Sequence, residues 1–64
     1  MNKIITLTLP NGKKIALDVD NIRFILEAQN NNYGCEVSYR HGTTWKVNES
    51  ITEIINKINW INGK

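Results

Sequence analysis

Among the side chains able to do chemistry, Cys35 and His41 are the pair to examine first, because a thiol beside an imidazole is the simplest nucleophile and base. Their settings argue against that role. His41 precedes Gly42 in a turn-forming pair, where an imidazole is ordinarily solvated. Cys35 falls at an inward-facing strand position, where a thiol acts as a small apolar filler. A metal site drawn from His41, Asp18, Asp20 and Glu36 lacks the ligand spacing of zinc or calcium centres. Asp18-Val19-Asp20 begins like a calcium loop, but the glycine and terminal glutamate required at later offsets are missing. Asn11-Gly12-Lys13-Lys14 sets a glycine beside two cations, yet it lies in a hairpin rather than between a strand and a helix, where a phosphate is held. The expectation is a non-enzyme with no cofactor and no metal.

The elements that must position these residues are few. Sixty-four residues, 41% hydrophobic and 22% charged, suit one small domain spanning 1–64. One cysteine excludes an internal disulfide, so the domain depends on its core or on an oligomer. The net charge of +2 is too weak to announce a nucleic-acid or membrane partner. The apolar run from Ile4 to Leu9 is interrupted by Thr6 and Thr8 and stopped at Pro10, too short for a signal peptide or a membrane span. A cytoplasmic protein without membrane insertion is expected, in keeping with a free thiol.

Lys3 to Leu9 alternates, with Ile5, Leu7 and Leu9 on one face, and reads as a strand. Asn11-Gly12 then marks a hairpin turn in which both residues accept positive φ, and Lys14 to Leu17 returns as its partner. Asp18, Asp20 and Asn21 form a polar corner around Val19. Ile22 to Ala28 fits a strand with Ile22, Phe24, Leu26 and Ala28 inward and Arg23, Ile25 and Glu27 outward; a helix capped by Asp20 or Asn21 is the alternative, and shortness favours the strand. After the Asn30-Asn31-Asn32-Tyr33-Gly34 loop, Cys35, Val37 and Tyr39 alternate inward, and a His41-Gly42-Thr43 turn leads to Thr44–Val47 with Trp45 and Val47 inward.

The C-terminal signal is the clearest. Ser50-Ile51-Thr52-Glu53 is a capping box, and Ile51, Ile54, Ile55, Ile58 and Ile61 recur at helical spacing. The expected fold is α+β: an antiparallel β-meander of about five strands with one C-terminal α-helix packed on a sheet face. On this reading Ile55 is buried, and Ile55→Asp unfolds the protein.

The candidate interaction surface comprises Arg23, Ile25, Tyr33, Arg40, Lys46 and Trp60. The basic members are interspersed with Glu27 and Glu36, a mixture closer to cross-strand ion pairs than to a phosphate track. Trp60 points sideways from the isoleucine stripe, wrapping a sheet margin or, with Ile25 or Tyr33, building an apolar patch for a partner or a homodimer.

The run Val19-Asp20-Asn21-Ile22 to Glu27-Ala28, with Asn11-Gly12, Glu49-Ser50 and Glu53, resembles the small FlbD/SwrD-type flagellar proteins over nearly the whole chain. Departures are the asparagine tract and His41-Gly42 in place of Asn-Gly. That resemblance implies a small cytoplasmic non-enzyme associated with the flagellar motor. Ile22-Arg23-Phe24-Ile25-Leu26-Glu27-Ala28 and Ser50-Ile51 are also similar to a truncated LytTR DNA-binding domain, whose further basic strands have no counterpart here. The leading expectation is a protein-interaction or regulatory module with a protein partner. A DNA-binding regulator and a small homo-oligomeric structural protein are the alternatives.

Overall fold

The computed structural model describes residues 3–63. Five strands precede one helix: β1 (Ile4–Thr8), β2 (Lys14–Asp18), β3 (Ile22–Glu27), β4 (Cys35–Tyr39), β5 (Thr44–Val47) and α1 (Ile51–Asn62). All pairings are antiparallel, as the alternation predicts. The chain does not make one continuous meander, however. It makes a β1-β2 hairpin and a separate three-stranded sheet in the order β3-β4-β5. The polar corner explains the break: Asp18 accepts from the Asp20 amide at 3.0 Å and caps a 3-10 turn at Val19–Asn21, which redirects the chain before β3 begins.

The first hairpin turn is also built differently. Only Gly12 takes a positive φ, 89°, and the Gly12 amide donates to Leu9 O at 2.9 Å while the Leu9 amide donates to Lys13 O at 2.8 Å. Pro10, with its fixed negative φ, sets the first central position, so Asn11 stays out of the left-handed region and a three-residue loop results.

Ile22–Glu27 is a strand, but its faces are reversed after Arg23. Ile22 opposes Tyr39 and Phe24 opposes Ser38, so two steps on β3 match one on β4 and Arg23 is the extra, bulged residue. Downstream, Ile25 opposes fully buried Val37 and turns inward, while Phe24 and Leu26, 52% and 53% exposed, turn outward. The expectation that Phe24 and Leu26 are core and Ile25 is surface is therefore overturned.

Two stitches join the sheets. At one end the Thr8 amide donates to both Glu49 carboxylate oxygens, at 2.8 and 3.0 Å, and Thr8 O accepts from the Asn48 amide at 2.8 Å. At the other, the Tyr39 hydroxyl accepts from the Asp18 amide at 3.0 Å. Gly34 lets the 48–49 segment pass, because a Cβ there would overlap the carbonyl oxygens of Asn48 and Glu49. Helix α1 packs against β1 and β3, one strand from each sheet. Its capping box is formed, with Ser50 Oγ accepting from the Glu53 amide at 3.2 Å.

The core comprises Ile5, Leu7, Leu17, Cys35, Val37, Val47 and Ile54. Ile51, Ile58 and Ile61 pack against it, whereas Ile55 is 46% exposed and sits at the margin. The buried stripe thus follows 51, 54, 58 and 61, narrower than the sequence suggested, because the two sheets offer the helix only a seam. Ile55 is a correction for the same reason.

Two outcomes follow. Ile54→Val costs about 0.5–1.5 kcal/mol, lowering Tm by about 4–8 °C per kcal/mol in a domain of this size, while Ile55→Asp retains a cooperative transition close to the parent's. Calorimetry that ranks the two variants the other way refutes this packing. The second concerns acid. Desolvation pushes the Glu49 carboxyl up, but hydrogen bonds from Thr8 and the charge of Lys14 outweigh it and leave the pKa below its ordinary value. A lowered carboxyl pKa stabilises the fold above the unfolded value of about 4.3, and that contribution is lost as pH falls through the folded value. Glu49→Gln should therefore be less stable than the parent at neutral pH, with the gap closing below pH ~4; a gap independent of pH in urea titrations contradicts the assignment.

Candidate functional site

Cys35 is fully buried, and its Sγ donates to Glu49 O at 3.2 Å. Burial, with the Glu49 and Glu53 carboxylates adding to it, pushes the thiol up to about 11. It is a poor nucleophile in that setting. His41 lies on the exposed turn after β4 with φ 65°, followed by Gly42 at 78°. Four strand steps separate Cys35 from Tyr39, about 13 Å at ordinary rise, and His41 lies beyond, so the structure does not bring thiol and imidazole together. Lys14 is engaged in structure, its Nζ donating to Thr8 Oγ1 at 2.6 Å. Among the described residues no group of three His, Cys, Asp or Glu side chains is placed to hold a metal, and no helix is long and apolar enough to cross a membrane.

Surface chemistry is concentrated in two places. The first is the outer face of the β3-β4-β5 sheet, where cross-strand register aligns Phe24 with Ser38 and Thr44, and Leu26 with Glu36 and Lys46. Lys46 Nζ stands 5.2 Å from the centre of the Tyr33 ring, a cation–π contact. Partial desolvation, and then the charge of Glu36, raise the Tyr33 phenol above its ordinary pKa. This face carries an apolar strip, Phe24 and Leu26, bordered by Lys46, which is held against the Tyr33 ring and stands opposite Glu36.

The second is an open groove of about 400 Å³ between β1 and α1. Ile4, Ile5 and Thr6 form one side; Asn56, Lys57, Trp60 and Ile61 form the other. Ile4 is 43% exposed and Trp60 66% exposed, although Ile61 beneath packs against the core. Trp60 therefore does flank a sheet margin, at β1.

The residues chosen from sequence do not make one surface. Tyr33 and Lys46 meet on the outer sheet face. Arg23 is exposed at the bulge, and Arg40 is exposed in the turn at Arg40–Gly42. Ile25 is removed, since the bulge turns it to the core. Trp60 belongs to the groove. The alternation of Arg23 and Glu27 with apolar residues assigns Phe24 and Leu26 to the core, and the bulge at Arg23 brings them to the surface instead. Ile4 had a signal, since it shares the outward face of β1 with Thr6 and Thr8.

Comparison with protein-family models, with curated proteins and with solved structures finds no match.

The Cys35 geometry has a direct check. Native protein at pH ~8 should resist a disulfide reagent and react fully once denatured, with labelling limited by opening of the core. Rapid labelling of the native thiol is the contrary result.

Proposed function

We propose that this protein is a small cytoplasmic interaction module that binds a protein partner through its exposed apolar residues and performs no chemistry of its own. The observation that supports this most is the disposition of those residues. Isolated surface hydrophobics are ordinary, but here they come in pairs on shared surfaces: Phe24 with Leu26 on the outer sheet face, and Ile4 with Trp60 in the groove. Each large apolar side chain fully covered by a partner is worth about 1.5–3 kcal/mol before association costs. Aromatic residues held by a rigid sheet or helix also suit interface centres, because little side-chain freedom remains to be lost.

The potential reactive groups support the same reading. Cys35 is sealed and held protonated, while His41 stands alone on a solvated turn. The FlbD/SwrD-type resemblance gives this proposal a direction: a partner within the flagellar apparatus. DNA binding of the LytTR kind is the weaker reading, because Glu36 stands across from Lys46 on the face that would have to meet phosphates.

A photo-crosslinking residue installed at position 24 or 60 in cells of the source organism should yield a discrete protein adduct, and one at position 31 should not. The purified protein should show no salt-sensitive binding to random duplex DNA. Folded variants that give no adduct at either position, or salt-sensitive DNA binding in their place, overturn the proposal.

A further inference from the structure

We propose that the free edge of β1 accepts an extended segment of a partner polypeptide as an added strand, with an acidic side chain of that segment against Lys57 and an apolar one between Ile4 and Trp60. This rests on the interaction-module reading above and assigns its groove an occupant.

The argument begins with which way the backbone of β1 points. In an antiparallel pair alternate residues turn both their N–H and C=O toward the neighbouring strand. The Leu9 amide donates to Lys13 O, and the Val19 amide donates to Lys3 O, both at 2.8 Å, so the odd-numbered residues face β2. Ile4, Thr6 and Thr8 consequently direct their backbone groups to the other side, where no strand among the described residues pairs with β1. The groove lies on that side, for its walls come from β1 and α1 and none from β2.

Thr8 shows that this edge can hold an extended chain. Its N–H is taken by the Glu49 carboxylate and its C=O by the Asn48 amide, so the protein's own 48–49 segment already occupies the edge at one end. Two residues further along, the N–H and C=O of Thr6 and Ile4 continue the same row into the groove. A row of donors and acceptors at strand spacing is complementary to another extended backbone, and apolar walls beside it provide pockets for alternate side chains. The site is short, about three residues, which is how natural edges limit indiscriminate pairing.

Charge selects the occupant. Lys57 is the only ionisable side chain among the groove's described walls. Two-fold pairing of β1 with β1 of a second copy would bring the two copies of Lys57 to one groove with no carboxylate from its described walls to offset them. An acidic segment meets the same cation favourably. The occupant is therefore a partner strand with alternating apolar and acidic residues.

The test uses two variants and a phage-displayed library of random octapeptides selected on the full chain. Thr6→Pro deletes an edge N–H that β2 does not use, a replacement edge strands tolerate, and Lys57→Glu reverses the charge on the exposed face of α1. Selected peptides should alternate apolar residues with Asp or Glu and bind each folded variant about 10-fold or more weakly than the parent. Failure to select any binder, or binders that retain full affinity for both variants, overturns the strand-addition site. A crosslink at position 24 that survives Thr6→Pro would then show the interaction module standing without this groove. Concentration-dependent self-association of the parent that Thr6→Pro abolishes overturns the partner assignment in favour of a second copy.

Discussion

The contact between Glu49 and Thr8 is the constraint on which the rest of this structure depends. Among the described residues the β1-β2 hairpin and the β3-β4-β5 sheet share no ladder, and the carboxylate substitutes for one by accepting the Thr8 amide while the Asn48 amide reaches Thr8 O. Thr8 Oγ1 also donates to the same carboxylate at 3.0 Å, and Lys14 closes the group from β2. Because Ser50 follows immediately, fixing Glu49 also fixes where α1 starts. Ile54, one turn on, is thereby delivered to the seam between the sheets. The close approach of Gly34 and the Cys35 Sγ to the same segment shows how many elements are referenced to it.

A partly buried carboxylate is an uncertain choice for such a joint, since desolvation alone would favour its neutral form. It works because the acceptors are filled: hydrogen bonds from Thr8 and the charge of Lys14 more than offset the loss of water. The joint also divides the β1 edge. At Thr8 the edge is satisfied from within the chain, and at Ile4 and Thr6 no described residue takes that place. The same feature that holds the sheets together leaves an unpaired strip of backbone beside the groove.

How much of this was legible in the sequence depends on the range of the cause. The capping box of Ser50 and Glu53 is a matter of three residues, and it formed as read. The corner at Asp18 and the inward alternation of Ile5, Leu7, Val37, Trp45 and Val47 are likewise local patterns with one steric solution. The turn at Pro10-Asn11-Gly12 was placed correctly but typed wrongly, because proline's effect on the position before Asn11 outweighed the Asn-Gly signal. The faces of β3 were misread because the bulge at Arg23 is decided by register against β4, which no property of residues 22–28 announces. Ile54 and Ile55 differ only in where a seam between two sheets falls. Glu49 had no signal at all: its partner Thr8 lies 41 residues away, and an acid before a helix cap has an ordinary local explanation.

The exposed apolar residues follow from the same economy of layers. A helix of twelve residues is about 18 Å long, enough to cover one face of two narrow sheets and no more. With α1 on the core side, the described chain has no further element to lay over Phe24 and Leu26, and the helix margin leaves Trp60 above the β1 edge. Moving these side chains inward would require reversing the β3 bulge, which would drive Ile25 out from opposite Val37. Their exposure is therefore a consequence of the fold rather than a local accident. A domain arranged this way has its buried groups committed to holding the joint and its core. The large apolar side chains that this leaves exposed lie on the open sheet face and along the β1 edge.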